Sequence, residues 1–283
     1  MLNLKFVIFG SRGMLGTEFM NAVPSNNIIH SFDKHNINIF DKKEILNKLK
    51  KYKFDWIVNC AAYTNVEKAE IDYHEAYKGN VEIPKILVEV ANELNIGICH
   101  FSTDYVFDGT KNKSYKENDS TNPINNYGKT KLLGEYQIQK AYKYLICRIS
   151  WLYGPYGNCF PKAIIRQLKS DKFVDVVNDQ IGTPTYTFDV VSESIILMTT
   201  NRCGTYHISN SGQASWYDFA KEIAKYYNLE DKVSPISSNK LTVKAKRPLY
   251  SVMSSEKMER EIGIKPQHWK FALKRFLNQI QGE

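Results

Sequence analysis

The chain has no Cys-x-x-Cys pair and no His-x-x-x-His spacing, and its five cysteines, Cys60, Cys99, Cys147, Cys159 and Cys203, are odd in number. Neither a zinc site nor a disulfide framework follows from them. Three of the cysteines lie in or beside apolar runs, where a free thiol behaves as a small buried hydrophobe. Long apolar runs are missing too: Ile195-Ile196-Leu197-Met198 falls well short of the roughly 20 residues that a membrane-spanning helix needs. The first residues run straight into Leu4–Phe9 and then glycine, leaving no room for the three regions of a signal peptide. These absences lead us to expect a soluble, cytoplasmic protein with no membrane partner. Dense basic blocks are absent as well. The formal charge of +8 comes from 38 basic and 30 acidic side chains spread over 283 residues, so a nucleic-acid partner is not expected. A positive field would still gather anionic small molecules. No internal repeat or low-complexity stretch occurs.

What is present is alternation. Short β-branched or aromatic runs at Lys5–Phe9, Ile28–Phe32, Trp56–Asn59, Gly97–Ser102 and Tyr144–Ile149 are separated by segments with apolar residues at helical spacing. Those segments are Met14–Val23, Lys42–Tyr52, Val81–Leu94 and Lys129–Tyr142. Repeated strand, helix, strand predicts an α/β fold with a doubly wound parallel Rossmann sheet. After Trp151 the rhythm breaks at Gly154-Pro155-Tyr156-Gly157, Gly182-Thr183-Pro184 and Lys246-Arg247-Pro248. The expectation is a dinucleotide-binding unit of residues 1–151 plus about 174–200, and a smaller mixed α/β C-terminal substrate unit of residues 152–173 and 201–283. A strand at Val174–Val177 and a helix at Asp189–Thr199 would return to the main sheet.

Gly10, Gly13 and Gly16 stand at three-residue spacing between the first strand and the first helix. They remove side chains where a backbone must approach a pyrophosphate at a helix N-terminus. The bland alternative, a structural glycine turn, loses ground because the trio sits in the first strand-to-helix turn of an alternating chain. Ser11, Arg12, Met14 and Leu15 complete the loop. Asp33 follows about 20 residues later, as a ribose-binding carboxylate does. Arg12, Lys34 and His35 would instead suit a 2′-phosphate, so NADPH and NADH both stay open, with a tilt toward NADPH. Ala61, Ala62 and Tyr63 follow the third strand in a small-residue segment suited either to a passing dinucleotide or to tight strand packing.

Tyr127 and Lys131 stand four apart at the start of a helical segment and so share a face. A lysine ammonium favours a phenolate, which makes Tyr127 a candidate proton donor and acceptor. The same spacing also arises in surface pairs on helices. Ser102 and Thr103 end the fourth strand, at the edge where a doubly wound sheet receives ligands, and either hydroxyl could hold a substrate carbonyl.

With these motifs in place, the chain resembles the extended short-chain dehydrogenase/reductases, and among them the dTDP-4-dehydrorhamnose reductase family. The likeness rests on the glycine loop, Asn59–Glu70, Ser102–Gly109, Tyr127–Lys131, Arg148–Gly154, Asn178–Thr185 and Arg247-Pro248. It implies Thr103, Tyr127 and Lys131 as the catalytic triad, acting with NADPH or NADH on the C4 ketone of a nucleotide-linked 4-keto-6-deoxyhexose. It implies Asn38 and Ile39 beside the adenine, with Asn38 in place of the family's common aspartate, and Asn80 as an ordering residue of the active site. Val66, Glu67, Asp104, Tyr105 and Trp151 would line the sugar pocket, with Glu67 one methylene longer than the family's usual aspartate; for Trp151 the alternative is a core tryptophan. Gln180 and Arg247 would meet the nucleotide or its diphosphate, the alternative for both being surface pairing. Glu18 matches an acidic position that holds a metal at a dimer interface in some members. Phe188 occupies the partner acidic position, which argues against a Mg2+ bridge, and we expect no metal site. A homodimer stays open. Two rival readings remain: another nucleotide-sugar 4-reductase or epimerase, and a non-catalytic subunit similar to the regulatory β subunit of methionine adenosyltransferase.

Overall fold

The five apolar runs become five strands in a computed structural model that describes residues 4–282, so residues 1–3 of the expected first unit lie outside it. They are β1 (Phe6–Phe9), β2 (Ile28–Phe32), β3 (Trp56–Asn59), β4 (Gly97–Thr103) and β5 (Tyr144–Ile149), joined at one edge by β6 (Gly204–His207). The order across the sheet is β2-β1-β3-β4-β5-β6, and every pairing is parallel. The chain reverses its direction of travel across the sheet between β1 and β3, so the loops after these strands open a crevice.

Helices cover both faces. In chain order they are α1 (Met14–Ala22), α2 (Lys42–Leu49), α3 (Val66–Ile71), α4 (Tyr73–Tyr77), α5 (Ile83–Leu94), α6 (Asn126–Ile138), α7 (Phe160–Lys169), α8 (Thr187–Thr199), α9 (Trp216–Tyr226), α10 (Glu256–Ile262) and α11 (Trp269–Gln281). Side chains alternate along β1: Phe6 and Ile8 pack with Leu15 and Phe19 of α1 and Val190, Val191 and Leu197 of α8. Val7 and Phe9 pack on the other side with Ile45 and Leu49 of α2 and Leu87 and Ala91 of α5. Burying each such side chain stabilises the fold by about 1.5–3 kcal/mol, and burial on both faces is why β1 reads as an unbroken apolar run.

The helix expected at Asp189–Thr199 does return to the main sheet as α8. The strand expected to return with it does not. Val174–Val177 pairs in parallel with Val233–Ile236 in a separate two-stranded sheet. Its apolar residues Val174 and Val176 face a third core made with α7, α9 and α11, including Phe219, Trp269 and Phe276. The sixth sheet position is taken instead by β6, from the segment assigned by sequence to the smaller unit.

Two helix starts also differ from expectation. α6 begins at Asn126 rather than Lys129 because the Asn125 side chain accepts from the Gly128 N–H at 2.7 Å and caps it. α5 is preceded by a π-helical turn at Lys78–Glu82, just before Pro84, whose missing N–H interrupts the α ladder.

Candidate active site

The loop between β1 and α1 is shaped for close approach. Gly10 has φ +79°, and a Cβ there would sit 2.6 Å from the Ala61 nitrogen. A Cβ on Gly16 would lie 2.2 Å from the Gly10 carbonyl oxygen, so α1 could not pack onto the loop. The Gly10 and Ser11 N–H groups donate to the Phe32 carbonyl at 2.7 and 3.0 Å, tying the loop to β2. No side chain caps the α1 N-terminus, so its first N–H groups and the positive end of the helix dipole are free for an anion.

Beside this loop lies a cavity of about 470 Å³ whose walls include Arg12, Asp33, Ile39, Ala61 and Tyr63. Gly10, Gly13, Lys34, His35 and Ala62 also reach it. The uncapped helix, the glycine cradle and the cavity together fit a dinucleotide. Of the other cofactor candidates, Leu15 turns into the core and offers only its backbone. Met14 opens α1, and Asn38 folds back to accept from the Phe40 N–H at 3.1 Å, shaping the turn around Ile39. Asp33 is already engaged: its carboxylate accepts the His35 N–H at 2.7 Å and pairs with Arg12 Nε at 2.6 Å.

The end of β4 divides the two hydroxyls left open by sequence. Successive strand residues point to opposite faces. Ser102 donates to Glu135 Oε1 at 2.5 Å, and Glu135 is clamped by Arg148 through Nε at 2.9 Å and a terminal nitrogen at 2.8 Å. Thr103 points the other way, toward the Tyr127 hydroxyl. It also donates to Asp104 Oδ1 at 3.0 Å and accepts the Tyr105 N–H at 3.1 Å. Ser251 donates to the second oxygen of Asp104 at 2.6 Å. Burial raises Asp104 to about 6, against these hydrogen bonds. Burial likewise raises Tyr127, so its phenol stays protonated at neutral pH, while Thr103 opposes the rise.

Lys131, one turn along α6, is 2% exposed and donates to the Phe101 carbonyl at 2.5 Å. Burial brings it down to about 8, with Glu135 opposing. Asn80, on the π-helical turn, accepts the Tyr63 N–H at 2.9 Å and donates to the Tyr63 carbonyl and to Thr130 Oγ1, each at 3.0 Å. It thus links the dinucleotide cavity to the helix that carries Tyr127 and Lys131.

A second cavity, of about 640 Å³, is lined by Gln180, Arg247, Lys246, Phe160 and Trp216 among others. Burial raises the Tyr105 hydroxyl while the nearby Arg247 guanidinium opposes the rise, and the Tyr105 ring meets Tyr127 edge-on with centroids 5.9 Å apart. Glu67, next to Val66 at the start of α3, pairs with Arg247 at 2.7 Å and accepts the Lys244 N–H at 2.9 Å. The first cavity is therefore tied to α6 through Tyr63, Asn80 and Thr130, and the second approaches Tyr127 through Arg247 and Tyr105, an arrangement that can hold a carbonyl oxygen and give it a proton.

Trp151 has φ +44°, a left-handed conformation that costs about 1–3 kcal/mol for a non-glycine residue. Its indole is held flat on Trp216 with centroids 3.6 Å apart and 5° between planes, and a Cβ on Gly182 would lie 2.4 Å from it. Trp216, not Trp151, stands among the second cavity's lining residues. Sequence reading missed Trp216, whose one local signal is the Ser215–Asp218 capping box that starts α9 at that position. Glu18, the position compared with metal-binding relatives, is buried and accepts from Thr187 Oγ1 at 2.6 Å.

With the geometry in place, comparison with known proteins is direct. The family model described as RmlD substrate binding domain matches residues 4–281. The dTDP-4-dehydrorhamnose reductase of Aggregatibacter actinomycetemcomitans is 36% identical, covering 95% of this chain and 97% of the relative. The crystal structure of a dTDP-4-dehydrorhamnose reductase from Clostridium acetobutylicum superposes with TM-score 0.93 at 36% identity, covering 98% of this chain and 100% of that one. The Bacillus anthracis dTDP-4-dehydrorhamnose reductase, solved in complex with NADP, gives TM-score 0.94 at 34% identity, covering 98% and 99%. By its full-length match and its shared fold, this chain belongs to the RmlD substrate binding domain family.

Proposed function

We propose that this chain is an NAD(P)H-dependent reductase acting on the C4 ketone of a nucleotide-linked 4-keto-6-deoxyhexose, with dTDP-4-dehydrorhamnose to dTDP-L-rhamnose as the leading reaction. The observation that carries this is the approach of Thr103 to the Tyr127 hydroxyl at the end of β4, with Lys131 buried one turn away. When bound, the dinucleotide supplies the hydride. Thr103, held by Asp104 and Ser251, orients the carbonyl oxygen. Tyr127, kept protonated by burial, donates its proton as negative charge develops there. The Lys131 ammonium stabilises the phenolate left behind and would hold the ribose of a bound nicotinamide nucleotide.

The remaining assignments belong to the same reading. The glycine loop with Arg12, Asp33, Ile39 and Ala61–Tyr63 forms the cofactor site. Residues up to 151 with α8 and β6 make the dinucleotide unit, and the other segments the substrate unit. Glu67, Tyr105, Trp216, Gln180 and Arg247 meet the nucleotide sugar, with Trp151 backing the Trp216 ring and Arg247 offering a planar cation to the diphosphate once Glu67 releases it. No described helix is long and apolar enough to cross a membrane, in keeping with a cytoplasmic site for this chemistry.

The test is oxidation of NADPH and NADH against dTDP-, GDP- and CDP-linked 4-keto-6-deoxy sugars. Stoichiometric cofactor consumption with a dTDP sugar supports the proposal. Retained cofactor recycled without net oxidation identifies an epimerase, and no consumption with any sugar identifies a binding subunit.

A further inference from the structure

A buried polar chain leads from the dinucleotide cavity to Lys131, and its hydrogen-bond directions are fixed from one end. The Ala61 backbone nitrogen can only donate, and it donates to Asn59 Oδ1 at 3.1 Å. That orients the Asn59 amide, so its NH2 group faces His100 Nδ1 at 3.0 Å. An amide nitrogen is a donor only, so Nδ1 must accept, and the single proton of the neutral ring sits on Nε2. Nε2 in turn lies 3.4 Å from Lys131 Nζ. An ammonium also has only donors. The ring N–H and the ammonium protons therefore confront each other, whereas a neutral amine would accept from the ring. Bulk solvent does not reach the pair, since Asn59 and His100 are each 1% exposed and Lys131 2%.

We propose that His100, locked by Asn59 as the Nε2–H tautomer, is a positioning residue that turns the Lys131 protons away from the sheet and weakens the lysine's hold on its charge. The inference rests on Tyr127 and Lys131 being the reaction centre. With one ammonium proton on the Phe101 carbonyl and the ring N–H blocking a second direction, the others must point toward the Tyr127 side of the cleft. An imidazolium has no place here, because it would set a second donor against the Asn59 amide and a second charge beside Lys131. Burial first, and Lys131 second, hold the His100 ring well below its usual titration range, which keeps it neutral. The other ionisable groups around Lys131 are Glu135 on its own helix, committed to Arg148 of β5, and Tyr127 with Asp104 at the mouth of the site. None of them sets the direction of the lysine's protons from the sheet side.

The test is long-range 1H–15N correlation on the full chain with 15N-labelled histidine, with and without NADP+, from pH 5.5 to 9. His100, one of six histidines, is expected as a non-titrating Nε2–H tautomer throughout. Asn59→Asp keeps an acceptor for the Ala61 N–H and replaces the amide donor with an acceptor. The ring proton should move to Nδ1, leaving Nε2 to accept from Lys131. The Lys131 midpoint, read from its 13Cε shift, should rise by at least about one pH unit, or tenfold in proton affinity. The lysine limb of the kcat/KM pH profile should move with it. An Nδ1–H tautomer or an imidazolium in the wild type overturns the proposal, and so does an Asn59→Asp protein whose tautomer flips while Lys131 titrates unchanged. If Asn59→Asp does not fold, the wild-type tautomer decides. Both spectra need no sugar, so a failed substrate assay would count against the functional reading alone.

Discussion

Removing the Arg12 guanidinium should change which dinucleotide the site prefers. Arg12 Nε lies 2.6 Å from Asp33 Oδ2, and the arginine side chain is 73% exposed at the cavity edge while the aspartate's is 8% exposed. This pair can take a 2′-phosphate, because Arg12 cancels the carboxylate and offers further N–H donors. In Arg12→Ala that donor is lost. A charged hydrogen bond contributes about 1.5–3 kcal/mol, and the exposure of Arg12 argues for the low end, about 1.5. The freed Asp33 carboxylate would also repel the phosphate. At about 5 Å and an effective dielectric of about 20 that is about 3 kcal/mol per charge, reduced by salt to the order of 1. Together these give about 2.5 kcal/mol, a loss of roughly 60-fold in kcat/KM for NADPH. NADH has no phosphate to lose, and its ribose hydroxyl gains a free carboxylate acceptor, so its kcat/KM should hold or improve by about threefold. The assay is steady-state oxidation of both cofactors at fixed ionic strength. Equal losses for the two would mean that Arg12 grips the shared pyrophosphate, and no loss would mean that it is a bystander. Either result refutes the reasoning.

Two further predictions follow from the buried groups. Thr103→Ala should lower kcat by about 10²–10³ as a lost donor to the developing oxyanion, whereas Ser102→Ala should keep kcat within about twofold and cost about 1–2 kcal/mol of stability through Glu135; chemical denaturation and turnover on the same samples separate them, and reversed effects would contradict the assignment of β4's two faces. Glu193 on α8 is buried, has an unpartnered carboxylate oxygen and is pushed up to about 8, by burial first and Asp189 second. A folded value above the unfolded one means that the native state holds the extra proton, so this group's contribution is intact below about 4.5 and is lost as pH rises toward 8. The stability of Glu193→Gln relative to wild type should therefore grow between pH 5 and 8 by several kcal/mol, and a pH-independent difference in urea midpoints would rule out a buried proton there.

The sheet and its flanking helices were legible because β1 and β3 are buried on both faces and carry apolar runs, broken only by Asn59 at the end of β3, while α1, α2 and α5 carry period-3.6 patterns. Val174–Val177 misled because a buried strand looks alike whichever sheet receives it; its partner Val233–Ile236 lies far along the chain and contains Pro235. Within the site, the glycine loop and the Tyr127–Lys131 spacing are local and could be read. In the sequence, resemblance alone favours Thr103 over Ser102; a physical reason needs the strand's facing, which a one-residue register change would reverse. Trp216 on Trp151, Ser251 on Asp104 and Glu67 on Arg247 join segments from different parts of the chain, and no periodicity encodes such contacts. The His100 tautomer lay deeper still, since it depends on two successive hydrogen bonds from the Ala61 N–H through Asn59 to the ring.

The central claim is that the Tyr127 hydroxyl gives the proton in a carbonyl reduction, and Tyr127→Phe removes that one oxygen from a site otherwise held by Thr103, Asp104 and Asn80. NADPH affinity by fluorescence titration and turnover of a dTDP-linked 4-keto-6-deoxyhexose should be measured on the same preparation. The account predicts a kcat lowered by about 10²–10⁴ with NADPH affinity within about twofold of wild type. Turnover within about tenfold of wild type in a variant that binds NADPH normally would contradict it.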